Sequence, residues 1–383
     1  MIKSLSEISR DEWNQLLENS YPFLRYEFLS ALEKSGAVGE HSGWLPKHCL
    51  VYADSDRSNE SQKTLLAAMP LYEKNHSHGE YVFDHDWAHS YQHYGLEYFP
   101  KWLTSIPFTP CEGERILIKN DQDHEKIYNL IIDHLKIKAG EENISSWHCL
   151  FPVKQEIDLL KQKNLIIRQG VQFRWSNKGY ADFEDFLSTF TMKKRKNLRR
   201  ERRWVKDQEI TLQQIPGSEI NDQQWQAFFN FYQMTYLKRR MTAYLDINFF
   251  RELGKTMPEQ LLLVMAKKDG NHVGAALSLI GGDTLYGRYW GCYDEYHSLH
   301  FEACYYQGLE YCIDNKLQRF DSGAQGEHKI SRGFEPVTTY SAHWIKDPKF
   351  SSAIDHYVKQ EAQALTIYKQ KAAKLLPFKN IIE

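Results

Sequence analysis

The sequence predicts an α/β protein built as an internal duplication of two related units, and three observations carry that expectation. At 383 residues the chain exceeds one ordinary core, since domains usually run to about 100–200 residues. The strings LAAMPLYEKNHSHGEYVF (66–83) and GAALSLIGGDTLYGRYWG (274–291), offset by 208 residues, share an Ala-Ala pair and a leucine in register at Leu71 and Leu279. The order helix, strand, strand, strand, helix is read twice. Chance likeness between two amphipathic hairpins competes with a repeat, and the shared element order speaks against it.

The first helix signal is 11–19, with Asp11 as cap and Trp13, Leu16 and Leu17 at helical spacing. A second spans Tyr26 to Ser35 and is ended by Gly36. Strands follow at His48–Ala53 and Thr64–Tyr72, joined by the exposed polar run DSDRSNESQK. WAHSYQHYG, from Trp87, reads as a helix. Asp182–Gln208 forms a long helical pattern, with Phe183, Phe186, Leu187, Phe190 and Leu198 on one face. In the second half, Leu261–Lys267 is a strand, Lys268-Asp269-Gly270-Asn271 a turn, and Val273–Ile280 the returning strand. Gly281-Gly282-Asp283 then turns into Thr284–Tyr293, and FEACYYQGLEYCIDN, from Phe301, is helical. Asp355–Leu376, bearing Lys359, Lys369, Lys371 and Lys374, is an amphipathic helix expected to pack on the second unit; a membrane-surface helix needs a stronger apolar face. The division is therefore 1–180 for the first unit, 181–208 for a basic connecting helix, and 209–383 for the second unit with its C-terminal helix.

Composition is globular, at 42% hydrophobic, 26% charged and 14% aromatic, which supplies apolar material for two cores. A net charge of −2 argues against a surface that is one large polyanion footprint. No stretch reaches about 18 uninterrupted apolar residues, and the N-terminus lacks the apolar core of a secretory signal, so a cytoplasmic protein without a transmembrane segment is expected. Six cysteines without a CxxC pair suit reduced thiols and give no zinc spacing.

Two constellations could carry chemistry. MKKRKNLRRERRWVK (192–206) holds nine Lys or Arg against one Glu. It is either a solvated helix end or a phosphate clamp, with Lys194, Arg195, Lys196 and Arg199 as its candidates. No DNA-reading motif accompanies it, so a local docking site is preferred to a DNA-binding domain. FDSGAQGEHKISRGFEPVTTYSAHW (320–344) packs Asp321, Glu327, His328, Lys329 and Arg332 among glycines, which is either a polar surface loop or a ligand-facing one.

GAQGEHKISRGFEP and LHFEACYYQGLE carry a resemblance to the FemAB-like family, relatives of the Fem peptidyltransferases. HSHGEYVFDHDWAHSY, YFPKWLTSIPFTPCEGER and the position of the basic run add to it, so that the likeness covers most of the chain. The resemblance implies two GNAT-like units of the acyl-CoA N-acyltransferase fold, with mixed sheets flanked by helices and a ligand in the crevice between the units. It also implies transfer of an acyl or aminoacyl group, from acyl-CoA or a tRNA-linked donor, to an amine on a small molecule or a phosphorylated envelope precursor resembling that of peptidoglycan. No tightly bound cofactor is expected. GNAT-type N-acetyl transfer from acyl-CoA and a non-catalytic module recognising a phosphorylated ligand are the alternatives. One departure concerns the donor: GNAT enzymes cradle the coenzyme A pyrophosphate with R/Q-x-x-G-x-G/A, and YDEYHSLHFEACYY (293–306) has no such glycines.

Amine acylation needs a base, an oxyanion site and a proton for the leaving group. His328 and Glu327 are the base candidates, Lys329 and Arg332 could hold a carboxylate or phosphate, and backbone amides near Trp290–Cys292 could meet the oxyanion. Substrate contacts are also expected from Asp321 and, through the resemblance, from Glu302, Asp84, Trp87, His89, Lys101 and Arg115. His89 and His93 stand at metal-ligand spacing, but core or surface histidines explain them better and no metal is expected. A Cys304 thiol nucleophile is weighed against a buried structural cysteine, which is preferred.

Overall fold

The computed structural model describes residues 1–53, 63–324 and 326–379. The polar loop expected over 54–63 falls, except for Lys63, outside the described residues. The chain divides into two compact units: Met1–Gly170 with Thr338–Thr366, and Val171–Val337 with Ile367–Glu383.

Unit 1 opens with α1 (Arg10–Asn14) and α2 (Tyr26–Lys34). Ser9, not Asp11, caps α1 in a reciprocal capping box with Glu12, so the helix starts one residue early and is shorter than its hydrophobic spacing suggests. Strands β1 (Trp44–Pro46), β2 (Cys49–Tyr52), β3 (Leu65–Met69) and β4 (Tyr72–Lys74) follow. The expected single strand over Thr64–Tyr72 is split because Pro70 has no N–H for a ladder: β3 pairs with β2, whereas β4 pairs with β1. Next come α3 (His85–His93), β5 (Lys101–Thr104), β6 (Leu117–Ile118), α4 (His124–Glu141), β7 (Ser146–Leu150), α5 (Lys154–Gln162) and β8 (Ile166–Ser176). One sheet runs β1-β4-β5-β7, with β5 and β7 parallel, and a three-stranded sheet runs β2-β3-β6. The core gathers Met69, Trp102, Ile131, Ile132, Leu135 and Trp147.

Unit 2 contains α6 (Phe183–Ser188), α7 (Met192–Asp207), β9 (Thr211–Pro216), α8 (Asp222–Leu237), α9 (Ile247–Thr256), β10 (Leu261–Lys268), β11 (Asn271–Gly281) and β12 (Thr284–Cys292). The long helix read over Asp182–Gln208 breaks at 189–191. There the backbone bonds elsewhere, Thr191 N–H to the Pro377 carbonyl and Lys379 N–H to the Thr189 carbonyl. β10 and β11 form an antiparallel hairpin closed by Asp269 and Gly270, both at positive φ (50° and 76°), the geometry of a tight two-residue turn. Residues 261–266 are all buried, which fits their unbroken apolar run.

A helical segment follows as α10 (Leu299–Phe301), a π-helical turn at Glu302–Tyr306 and α11 (Gln307–Asp314); β13 (Arg319–Asp321) then lies parallel to β12. The chain closes with β14 (Glu335–Ile345) and α12 (Pro348–Ala373), whose residues up to Thr366 belong to unit 1 and the rest to unit 2. Ser341–Ile345 of β14 pair antiparallel with β7 in unit 1.

The repeat is visible in the hairpins: Ala67 and Ala68 sit in β3 opposite Val51 and Leu50, and Ala275 and Ala276 sit in β11 opposite Met265 and Val264. Small residues recur because both strands are buried at these positions. At Gly291 a Cβ would stand 1.9 Å from the Phe231 carbonyl oxygen, so only glycine lets α8 approach β12 this closely.

Candidate functional site

The sequence-predicted residues of unit 2 converge on one short turn. Glu327–Arg332 form a 3-10 helix between Gly326 and Gly333, both at positive φ. Its buried side chains are fixed inward. The Arg332 guanidinium donates to Glu201 Oε2 (2.7 Å), to the Tyr306 hydroxyl (3.1 Å) and to the His328 carbonyl (2.6 Å), and it lies 3.5 Å from the Phe301 ring centroid. Tyr306 also donates to Glu201. The Lys329 ammonium, 1% exposed, donates to the Ser322 and Gly323 carbonyls and ties down the preceding loop. Asp321 accepts from Arg174 and from the Gly323 amide. Glu302 accepts from Arg202 Nε and Nη2 and from the Gln307 amide. Arg332, Lys329, Asp321 and Glu302 therefore build the wall of the site.

His328 remains accessible, and its Nε2 lies 2.8 Å from the Tyr305 hydroxyl. Partial burial, reinforced by Arg332 and Lys329, pulls its imidazole down to about 4, so the ring is neutral at physiological pH. Burial, with His328 and Arg332 nearby, likewise draws His300 down to about 4. Burial pushes the Tyr305 phenol up and keeps its proton in place. Glu327 is exposed and accepts from the Tyr368 hydroxyl (2.7 Å).

The π turn explains why Glu302, Tyr305 and Tyr306 are all buried on one short segment: one extra residue in the turn re-aims the side chains that follow. Glu201, which the sequence reading left out, had a signal. It is the single acid in the basic run, and it falls in helical step with buried Leu198 and Val205. The candidate phosphate ligands lie on the same helix, with Lys196 and Arg199 exposed, Lys194 and Arg195 half-buried, and Arg199 paired with Glu184. Trp290–Cys292 lie in β12, whose pairing with β13 covers only Thr284–Tyr286. Among the described residues, no strand continues that edge to Trp290.

Unit 1 holds a second buried polar cluster. Lys101, 0% exposed, donates to Glu80 Oε2 (2.8 Å) and Ser77 Oγ (2.9 Å) and pairs with Asp84. Tyr98 donates to Asp84 Oδ2 (2.6 Å) and lies 3.2 Å from His148 Nε2. His148 Nδ1 meets His343 Nδ1 at 2.7 Å, and His343 Nε2 meets Ser341 Oγ at 2.8 Å.

Tyr98 has one hydrogen and gives it to Asp84, while Ser146 Oγ also lies 2.9 Å from His148 Nε2. Across the Nδ1–Nδ1 contact one ring donates and the other accepts, so the two neutral imidazoles are opposite tautomers, one with its hydrogen on Nδ1 and the other on Nε2. Both rings stay neutral: burial draws His148 down to about 3 and His343 well below its ordinary value, and Lys101 and Arg168 add to it.

Burial pushes the Glu80 carboxyl up to about 7 even with Lys101 beside it. Burial acts the same way on Asp84, but there Lys101 outweighs it and holds the group below the usual range. Lys74, stacked 3.8 Å from the Trp44 ring centroid, is drawn down by burial to about 7. Glu80 Oε1 and Asp84 Oδ1 have no hydrogen-bond partner among the described residues, which leaves room for a donor from water or a ligand.

A cavity of about 460 Å³ lies beside this cluster, walled by Ser77, His78, His85, His89 and Tyr98. Of the residues expected here, Asp84 and Lys101 form the buried pair and His89 the cavity wall. Trp87 packs 4.9 Å from His343 under the Arg168 guanidinium. Arg115 stands apart: it is fully buried and donates to the carbonyls of Leu150, Gly113, Glu114 and Cys111, so its guanidinium serves the backbone and not a ligand. No group of three or more His, Cys, Asp or Glu suited to a metal ion occurs among the described residues.

The FemAB-like family model, described as peptidoglycan biosynthesis/recognition, matches residues 4–380. The chain resembles the crystal structure of FemX, with 12% identity and a TM-score of 0.51 over 93% of this chain and 99% of that one. It also resembles a domain assigned as the C-terminal domain (DUF2156) of a lysylphosphatidylglycerol synthetase from Agrobacterium fabrum, with 10% identity and a TM-score of 0.54 over 93% and 97% of the two chains. At these identities the likeness speaks for the fold. None of the curated proteins matches the chain.

Proposed function

The chain belongs to the FemAB-like family, and from that membership we propose that it is an aminoacyl- or acyltransferase acting on an amine, with His328 and Tyr305 of unit 2 as its reacting groups. The observation that carries the reading is the accessible, neutral His328 imidazole 2.8 Å from a protonated phenol, on a wall locked by Arg332, Glu201 and Tyr306. As the amine nitrogen bonds to the acyl carbon, it loses a proton to His328. The bond to the leaving oxygen breaks, that oxygen takes the Tyr305 proton, and the His328 imidazolium gives a proton back to the phenolate across their 2.8 Å contact, so both groups end as they began. A histidine drawn down to about 4 is a weak base, so an anionic group on the bound substrate, by raising it, would bring it nearer the useful range.

Tyr305 bears on the choice of donor. An alkoxide leaving from an aminoacyl ester needs a proton, whereas a thiolate leaving from coenzyme A, with a pKa of about 8.5, needs much less help. A high-pKa phenol thus favours an ester donor of the aminoacyl-tRNA kind, as does the absence of a glycine-rich pyrophosphate loop over 293–306. The acceptor side follows the family description, an amine on an envelope-type precursor, with the cations of α7 available to its phosphates or to those of the donor.

Titration with acetyl-CoA and with aminoacyl-tRNA, followed by single-turnover transfer of a labelled amino acid, tests the reading. Saturable binding of aminoacyl-tRNA and loss of transfer in His328→Gln are expected. Tight acetyl-CoA binding without tRNA binding would overturn the donor assignment, and full transfer by His328→Gln the base assignment. Binding of neither donor would favour a recognition module.

A further inference from the structure

Neither α7 nor α12 has a continuous apolar face, yet the place where they meet in unit 2 sets exposed aliphatic side chains among lysines. The backbones of 189–191 and 377–379 are hydrogen-bonded, and the Phe190 and Phe378 rings pack edge-on at 5.4 Å. Around that seam Met192 is 77% exposed, Leu375 61% and Ile367 55%. The flanking chain is wholly cationic: residues 189–200 contain six Lys or Arg and residues 362–379 four, with no Asp or Glu in either stretch. Of the nearby acids, Glu184 pairs with Arg199, Glu335 with Lys178, and Glu327 accepts from the Tyr368 hydroxyl, while Lys193, Lys196, Lys371, Lys374 and Lys379 are exposed. Ile367 and Lys371 share one face of α12 by their spacing, and Lys374 follows one residue beyond its end.

We propose that this face of unit 2, centred on Met192 and Leu375 and ringed by Lys193, Lys196, Lys371 and Lys374, docks on the surface of an anionic phospholipid bilayer. Aliphatic side chains held out among lysines gain nothing from a phosphodiester strand, but they enter the boundary between headgroups and acyl chains while the lysines meet lipid phosphates. The two segments supply together what the C-terminal helix lacks alone. The face shares Lys196 with the phosphate contacts proposed for α7 but not the reacting groups, since Glu201 and Arg202 occupy the inward side of the helix; vesicles carry neither donor nor amine acceptor, so their binding is read independently of transfer.

Co-sedimentation of the full chain with vesicles of phosphatidylcholine alone, or of phosphatidylcholine with phosphatidylglycerol, tests it. Binding is expected only to the anionic vesicles and should weaken with added salt. Replacing Lys193, Lys196, Lys371 and Lys374 by Ser should weaken it on the order of several hundredfold, at about fivefold per lysine. Met192→Ser with Leu375→Ser should weaken it on the order of tenfold. All six positions are exposed, so unchanged thermal midpoints would certify the fold of each variant. Failure to bind anionic vesicles at low salt overturns the proposal. Wild-type affinity in the Met192/Leu375 variant, with full competition by single-stranded RNA, would also overturn it and reassign the face to nucleic acid.

Discussion

The paired histidines of unit 1 make a prediction whose size follows from their surroundings. His148 and His343 are buried and neutral, whereas in the unfolded chain each titrates near 6.5. Above that pH neither state binds the proton, and the stability the neutral pair contributes is complete. As pH falls through 6.5, the unfolded chain takes up protons that the folded core refuses, and each ring costs about 1.4 kcal/mol per pH unit. Between pH 6.5 and 5 that is about 2 kcal/mol per ring. Glu80 works in the opposite sense, because its folded carboxyl, pushed up to about 7, takes a proton before the unfolded one does. It returns about 2.5 kcal/mol by pH 5, which offsets part of the loss, while His300 and His328, also drawn down to about 4, add to it, so the wild-type profile alone does not isolate the pair. The informative variant is His343→Gln, whose amide can still serve His148 and Ser341. The stability gap between wild type and variant should shrink by about 2 kcal/mol as pH falls from 6.5 to 5. Urea unfolding followed by tryptophan fluorescence at intervals across this range measures it. Parallel curves, agreeing to within about 0.5 kcal/mol, would refute the claim that the ring is held neutral.

Three further outcomes are expected. Glu201→Gln leaves the Arg332 guanidinium buried without its counter-charge and should lower stability by about 2–4 kcal/mol, or on the order of 5–10 °C in the midpoint for a unit of this size; an unchanged midpoint would count against a structural role for the pair. Gly291→Ala places a methyl group against the Phe231 carbonyl and should cost more than about 4 kcal/mol, read as loss of soluble, cooperatively melting protein. Tyr128→Phe removes one of the donors to the buried Glu156 carboxylate, which keeps the Arg115 and Ile116 amides, so about 1–2 kcal/mol is expected in chemical denaturation.

The sequence revealed most where a structure is specified locally. The β10–β11 hairpin was legible because an Asp-Gly turn sits between two apolar runs, and the turn of His328 because its ionisable residues are contiguous. Illegible features depended on distant partners. The helix read over 182–208 broke because 189–191 bond to 377–379, a pairing no periodicity can announce. Glu201 looked like a lone exception in a basic run until Arg332, 131 residues later, proved to be its partner. His148 and His343 are 195 residues apart and meet through the β7–β14 register. Their one trace in the sequence is a repeated Ser-x-His, at 146–148 and 341–343, which places serine and histidine on the same face of each strand.

The contact between His148 Nδ1 and His343 Nδ1 makes the two rings a complementary couple: one hydrogen lies between them, so the tautomer of each dictates that of the other. If His148 keeps its hydrogen on Nε2, His343 donates from Nδ1 and accepts from Ser341; if Ser146 supplies the hydrogen at His148 Nε2 instead, both rings invert and His343 Nε2 donates to Ser341. The setting of a serine on one strand is thereby tied to that of a serine on its neighbour, and long-range proton–nitrogen correlation spectra read which of the two settings the core holds.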